Sequence, residues 1–129
     1  MMNRYNAHNM RGPSLTPGWC AVCGRPHPEA HHIVPRSLGG KDGPVVHLCG
    51  RGNSLRDALG NELHHGLVEN HRMWLWYNDG TDGDIAPACP PGSEGAWCYV
   101  TTTHPIGCFE ALKLPGWRPL WGKIGRAHV

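Results

Sequence analysis

The sequence predicts a small α+β domain that is stabilised by a bound metal ion. The chain has 129 residues, which is the length of one ordinary domain with a single modest core. Its 18 glycines and 12 prolines disfavour long regular helices. Two of its 6 cysteines form a C-x-x-C pair, which is typical of a zinc site. We therefore expect a loop-rich fold in which a metal knuckle, a hairpin, a helix and a β-rich tail follow one another.

Residues 1–18 are predicted to be a flexible leader, because they are polar and contain Gly12, Pro13 and Pro17. This stretch has no apolar run of signal-peptide length, and no later segment is long enough to span a membrane. We expect a cytoplasmic protein without a membrane partner. In a reducing compartment, a close cysteine pair binds metal more often than it forms a disulfide.

The charge balance permits a polyanionic partner without requiring one. The formal net charge is +2, from 12 Lys and Arg against 10 Asp and Glu. This is weaker than in proteins that bind nucleic acid by charge alone. Most of the basic residues are arginines, however, and the arginine fork suits phosphate oxygens.

Residues 19–77 contain the predicted knuckle, hairpin and helix. The stretch "WCAVCGRPHPEA" predicts a turn, and "HHIVP" and "VVHLC" predict two short strands joined by the loop "RSLGGKDGP". In "NELHHGLVENHRMWLW", apolar residues recur at near-helical spacing. This pattern predicts a helix with Asn61 as N-cap that ends between Arg72 and Trp76. Gly66 within it predicts either close packing or a helix start.

Residues 78–129 are predicted to be an extension packed on the same domain. The stretch "GAWCYVTTTHP" has strand propensity, and two Asp-Gly pairs before it indicate turns. Most of the tryptophans are expected to fill the core, because the chain has a single phenylalanine. Trp121, beside Lys123 and Arg126, is the best candidate for a surface contact.

The cysteine and histidine spacing predicts a structural zinc site. Two thiolates in a C-x-x-C turn need a second pair of ligands, which the cysteine of "HLCG" and the following histidine pair can supply. The predicted ligands are Cys20, Cys23, Cys49 and His64. On spacing alone, His65 or His71 could replace His64. The alternative, a buried or redox-active cysteine pair, is disfavoured because a glycine and two prolines follow it where a thioredoxin-like motif needs a helix. The other three cysteines, at 89, 98 and 108, are predicted to be structural or free thiols.

The paired histidines of "AHHIVPRSLGG" are a poor choice for a plain core strand, because adjacent strand residues point to opposite faces. Taken in order, the knuckle, "AHHIVPRSLGG", "HLCG" and "HHGLVENHR" resemble the HNH endonucleases. The resemblance covers residues 19–77 and is closest to the small zinc-stapled forms common in phage genomes. The later "EALKLPGWRPL" is similar to the tail of some phage members.

The resemblance implies a ββα-metal, or His-Me finger, fold and the hydrolysis of DNA phosphodiester bonds with one divalent ion. It implies that His31 and His65 hold Mg²⁺ or another divalent ion and that His32 is the general base. A histidine that is neutral near pH 7 can take a proton from water, and a divalent cation can stabilise the charge on the phosphate. Glu69, four residues after His65, is a possible additional ligand.

The sequence departs from the family pattern in two places. The middle asparagine of the motif would fall near Pro44 and is absent, so Asp42 could hold the loop instead. An insertion, "GRGNSLRDALGNEL", separates Cys49 from His64. The missing asparagine favours an alternative function, a catalytically weak or inactive zinc-dependent DNA-binding module. A zinc-ribbon protein adaptor is a third possibility.

The resemblance also implies DNA as the partner, phage packaging proteins as possible further partners, and a bacterial host cell as the location. Arg36, Arg51 and Arg56 are candidate phosphate contacts, although each arginine alone is more often a solvated surface residue. His71 falls seven residues after His64, so a continuous helix would place it about 10 Å along the same face. That is too far to share the zinc, so we expect it to contact DNA or support a ligand.

Overall fold

The computed structural model describes residues 2–81 and 83–120. The described chain is α+β, as predicted, with short helices and two small antiparallel sheets. In chain order, its elements are α1 (Arg4–Asn9), β1 (Glu29–His32), a 3-10 turn (Arg36–Leu38), β2 (Val45–Leu48), α2 (His64–Glu69), β3 (Met73–Asn78), β4 (Ala96–Thr101), α3 (Cys108–Leu112) and β5 (Arg118–Pro119). No helix among these residues is long and apolar enough to cross a membrane.

The strands β1 and β2 form the hairpin predicted from "HHIVP" and "VVHLC". His31 pairs with Val46, and His32 pairs with Val45. Cross-strand partners lie on the same face, and Val46 is fully buried in the core. The imidazole of His31 therefore lies on the inner face of the hairpin, and His32 lies on the opposite face.

The hairpin loop is held by main-chain contacts. The Gly40 N–H donates to the carbonyl of Pro35, and the Ile33 N–H donates to the carbonyl of Pro44. A Cβ at Gly40 would lie 1.8 Å from the Val34 carbonyl oxygen, so only glycine fits there. Asp42 is exposed, and its carboxylate has no hydrogen-bond partner in the described part of the chain. The expectation that Asp42 holds the loop is therefore wrong.

The predicted helix after Asn61 is much shorter than its apolar spacing indicated. Leu63, not Asn61, is the N-cap of α2, and residues from Met73 onward form β3. The side-chain amide of Asn70 donates to the Gly66 carbonyl and closes the helix at its C-terminal end. His71 follows in the left-handed conformation, with φ of 60°, so the chain leaves the helical path. The aromatic and apolar residues of β3 then pair with β4.

The second sheet has the strand order β3-β4-β5 and builds the rest of the molecule. The strand predicted in "GAWCYVTTTHP" is present as β4. One core cluster joins the knuckle, the hairpin, α2 and the inner side of this sheet, with Trp97 among its largest fully buried side chains. A second cluster on the other side contains Trp76, Trp117 and residues of α3. Most tryptophans therefore pack in the core, as predicted, while Trp121 and its basic neighbours lie outside the described residues.

The predicted flexible leader instead contains α1, which packs on the outer edge of β3. Asn3 caps this helix by accepting the Asn6 N–H, and Tyr5 and Asn9 are buried. The Tyr5 hydroxyl donates to the Leu75 carbonyl and accepts the Leu75 N–H. The prediction of a flexible leader from polar composition is wrong here, because the polar side chain of Asn9 is buried and forms hydrogen bonds with the main chain of an edge strand.

Candidate metal centres

The first site is the cluster of three cysteines and one histidine, which can hold a metal such as zinc. Cys20 and Cys23 lie in the knuckle turn, Cys49 directly follows β2, and His64 is the first residue of α2. The Sγ atoms of Cys23 and Cys49 are 3.7 Å apart. His64 Nδ1 is 3.4 Å from Cys49 Sγ and 3.8 Å from Cys20 Sγ.

These separations fit tetrahedral coordination. Zinc bonds of ~2.3 Å to sulfur and ~2.0 Å to nitrogen place two sulfurs ~3.8 Å apart, and a sulfur and a nitrogen ~3.5 Å apart. Main-chain N–H groups of Val22 and His64 also donate to the sulfurs of Cys20 and Cys49. The structure therefore brings together the four residues predicted from spacing, in a geometry suited to a structural zinc.

Close contact among the sulfurs and the imidazole shifts the pKa values of this cluster. Hydrogen bonds from Cys23 and Cys49 lower the pKa of the Cys20 thiol. Burial lowers the pKa of His64, but the sulfurs of Cys20 and Cys23 outweigh it and raise that pKa to about 9. The imidazole of His64 thus holds its proton beside the sulfurs of Cys20 and Cys23, whereas the pKa of the Cys49 thiol is raised by the same two sulfurs. A divalent cation would take the place of the protons.

The second cluster consists of His31, His65 and Glu69, each of which offers a ligand atom within 4.8 Å of the others. His31 Nδ1 is 3.2 Å from Glu69 Oε2, and His65 Nε2 is 3.6 Å from the same oxygen. Ligands ~2.1 Å from one ion are ~3.0 Å apart at right angles and ~3.4 Å apart in a tetrahedron. The two distances to Glu69 lie near these values, and all three ligand atoms are within 4.8 Å of one another, so the three side chains could hold one ion.

The neighbouring histidines of α2 serve different clusters. Successive helical residues are about 100° apart around the axis, so His64 faces the cysteines while His65 faces His31. The imidazole rings of His31 and His65 are 5.3 Å apart, centre to centre. This settles the alternatives left open by spacing: neither His65 nor His71 belongs to the cysteine cluster.

Glu29 is a member of the second site that the sequence did not single out. Its Oε1 accepts from His65 Nδ1 at 2.7 Å and from the Gly52 N–H at 2.9 Å. The Gly52 N–H, together with His65, lowers the pKa of the Glu29 carboxyl. A carboxylate on Nδ1 directs Nε2 of the same ring toward the ligand side. Glu29 and His31 are two residues apart on β1, so they lie on one face of the strand. This spacing is the signal by which the sequence could have identified Glu29.

His31 is suited to bind metal because it stays neutral. Burial, with the nearby charges of His65 and His32, lowers its pKa from 6.5 to about 4. The Glu69 carboxylate at 3.2 Å would favour the charged form, but it is itself 42 % exposed, so burial of the 14 %-exposed His31 prevails. An unprotonated imidazole at neutral pH is the form that coordinates a cation.

The remaining predicted site residues lie around this cluster. His32 is half-buried on the opposite hairpin face, yet close enough for its charge to lower the pKa of His31. Arg36 is exposed at the start of the hairpin loop. Arg51 is exposed too, and its charge contributes to the lowered pKa of Glu29. Arg56 donates to the Gly60 carbonyl within the inserted loop, which leaves it less suited to phosphate.

The expectation that His71 lies on a helix face is wrong. It occupies the turn after α2, where its ring packs edge-on against Trp74 with centroids 5.6 Å apart. Its main chain is fixed on both sides, since its N–H donates to Val68 and its carbonyl accepts from Ile106.

Comparison with known proteins adds no relative to this description. No family model, curated protein or solved structure matches the chain.

Proposed function

We propose that the protein is a metal-dependent HNH endonuclease that hydrolyses DNA phosphodiester bonds. The observation that carries the proposal is the convergence of His31, His65 and Glu69 on a space the size of one ion. The cluster joins a β-hairpin to the helix that follows a zinc-type knuckle. That arrangement supports the ββα-metal fold implied by the motif order.

In this proposal, His31, His65 and Glu69 are the ligands, and Glu29 keeps His65 in the tautomer with Nε2 free. A divalent ion bound there would stabilise charge on the scissile phosphate and on the leaving oxygen. His32 removes a proton from the attacking water. Arg36 and Arg51 contact flanking phosphates, because both are exposed and Arg51 is close enough to Glu29 to lower its pKa.

The donor set favours a transition-metal ion over Mg²⁺. Two of the three candidate ligands are imidazoles, whereas Mg²⁺ prefers oxygen ligands and retains most of its waters. We therefore expect Mn²⁺, Co²⁺ or Ni²⁺ to support stronger cleavage than Mg²⁺ at equal concentration.

The proposal is tested by incubating the purified, zinc-loaded protein with supercoiled plasmid and a series of divalent ions. We expect relaxed or linear DNA with the ions above, and no product with EDTA under conditions in which bound zinc is retained. His32→Ala should abolish product while DNA binding and zinc content persist. Cleavage by purified His32→Ala at the wild-type rate would exclude the assigned base.

The matched control is His104→Ala, which removes an exposed histidine that belongs to neither metal cluster. It should cut at the wild-type rate. A His65→Ala preparation, purified in parallel, should be inactive and thereby exclude a contaminating nuclease.

The loop supports one alternative, a zinc-dependent DNA-binding module without useful activity. The side chain of Asp42 does not hold the hairpin loop, and the asparagine typical of the HNH family is absent. This alternative predicts salt-sensitive DNA binding without cleavage in any of the metal ions.

A further inference from the structure

A cavity of about 280 Å³ adjoins the second metal cluster, and His31 and Glu69 are among the residues that line it. Its walls come from the hairpin loop, α2, β3 and α1, and include Ile33, Val68 and Trp74. The volume is just below the ~300 Å³ at which pockets for small ligands begin. The cavity is thus sized for one ring system and not for a stretch of polymer.

The lining indicates a flat, neutral ligand. None of the described residues that line the cavity is a lysine or an arginine, so it offers no site for an anion away from the metal cluster. Trp74 is half-buried in the wall, between the rings of Tyr5 and His71. Its indole N–H is buried and has no partner in the described part of the chain, so one donor in this wall lacks an acceptor.

His71 lies in the cavity wall at the residue where the chain leaves α2. Its left-handed φ of 60° is common at the end of a helix, and histidine is among the residues that adopt it more readily. An imidazole at the cavity edge, beside an indole, is suited to contact an aromatic ligand.

We propose that this cavity holds the nucleobase of the nucleotide whose phosphate is bound at the His31, His65 and Glu69 cluster. The inference rests on the proposed nuclease function, because the metal cluster that adjoins the cavity supplies the phosphate site. A base in this position is unstacked from its neighbours, so the preferred substrate has an unpaired or easily extruded nucleotide beside the scissile phosphate.

The test compares ligands that differ only in the base. Affinities of dAMP, TMP and 2-deoxyribose 5-phosphate for the zinc-loaded full chain are measured by calorimetry with Mn²⁺. Stacking on aromatic side chains should make both nucleotides bind about tenfold tighter than the sugar phosphate. Equal affinities, or no binding of any of the three, would overturn the proposal.

Two variants locate the effect. Val68→Phe fills the cavity from α2 and should remove the preference for nucleotides over sugar phosphate. Leu114→Phe, which also introduces a phenyl ring at a half-buried residue but in the other core cluster, should retain it. If Val68→Phe fails to fold, His71→Ala replaces it and should lose the base preference while retaining affinity for the sugar phosphate. Retention of the preference in the folded cavity variants would place the base elsewhere and reject the proposal.

The plasmid assay separates this inference from the function on which it rests. Cleavage without any base preference would reject the base-binding cavity and leave the nuclease intact. A base preference without cleavage in any metal ion would reject the nuclease and leave a nucleotide site.

Discussion

At the scale of single residues, histidines that are adjacent in the sequence differ in their burial and hydrogen bonding. His64 and His65 are adjacent, but one has a raised pKa among sulfurs and the other contacts two carboxylates. His31 and His32 are adjacent too, and only His31 joins the ligand cluster. The two side chains of each pair face different surroundings, because successive residues of a helix or a strand point in different directions.

Glu29→Gln tests the support of His65. The amide retains the shape of the side chain but offers a weaker acceptor to His65 Nδ1, so the imidazole is less firmly oriented. Loss of such a carboxylate typically reduces metal affinity or activity 10- to 100-fold. We expect a reduction in that range for Mn²⁺-dependent cleavage, and no change for Glu94→Gln, which alters an exposed carboxylate outside the cluster. Wild-type metal dependence of Glu29→Gln would show that Glu29 has no such role.

The lowered pKa of His31 predicts a pH-dependent stability. Between pH 6.5 and about 4, the unfolded chain binds a proton at His31 that the folded chain does not. The free energy of unfolding therefore falls as the pH is lowered through this window, and the contribution is complete above pH 6.5. Urea midpoints from pH 5 to 7, without added divalent ion, should fall less steeply for His31→Gln than for the wild type or His104→Gln. Parallel curves would contradict the assignment.

At the scale of elements, α2 is short, and its packing explains why the sequence contains Gly66. A Cβ on Gly66 would lie 1.7 Å from the Ser54 carbonyl oxygen of the inserted loop. The same loop donates the Gly52 N–H to Glu29, and the Asn53 carbonyl accepts from Asn70. The loop between Cys49 and His64 is therefore packed on the helix that contains His64 and His65.

Gly66→Ala should destabilise the protein by about 1–3 kcal/mol, because the clash is with main chain and the loop or the helix must shift. Gly18→Ala is the matched control, since a Cβ there meets no atom within 4 Å. Thermal unfolding of the two variants measures the difference. Equal melting temperatures would mean that the loop is not packed on α2 as described.

At the scale of the whole molecule, the zinc-type cluster connects three separate parts of the chain. It joins the knuckle turn, the end of the hairpin and the start of α2, and all three contribute to one core cluster. Such a small domain has a modest hydrophobic core, so metal binding at this cluster would supply folding free energy. Loss of the metal should therefore also disorder the second cluster, because His65 lies on α2 next to His64.

Chelation of the structural metal should unfold the domain and not merely inactivate it. Cys23→Ser should contain less zinc and lose near-ultraviolet circular dichroism, which reports tryptophan packing. Cys89→Ser changes a cysteine outside the cluster and should retain both. A Cys23→Ser protein with native dichroism and no zinc would show that the core is sufficient without the metal.

The sequence by itself determined the α+β class, the hairpin strands, the strand in "GAWCYVTTT" and the residues of the zinc-type cluster. These depend on spacing and alternation within short segments, which the local chain encodes. Only the tertiary structure decided that "MWLWYN" is a strand, that the leader is a helix on its edge, and that Glu29 faces His65. Those outcomes depend on partners distant in sequence: β4 supplies hydrogen bonds to β3, Leu75 accepts from Tyr5 and Asn9, and the fold brings β1 against α2. No local pattern records such pairings, because their free energy arises only when both partners are in place.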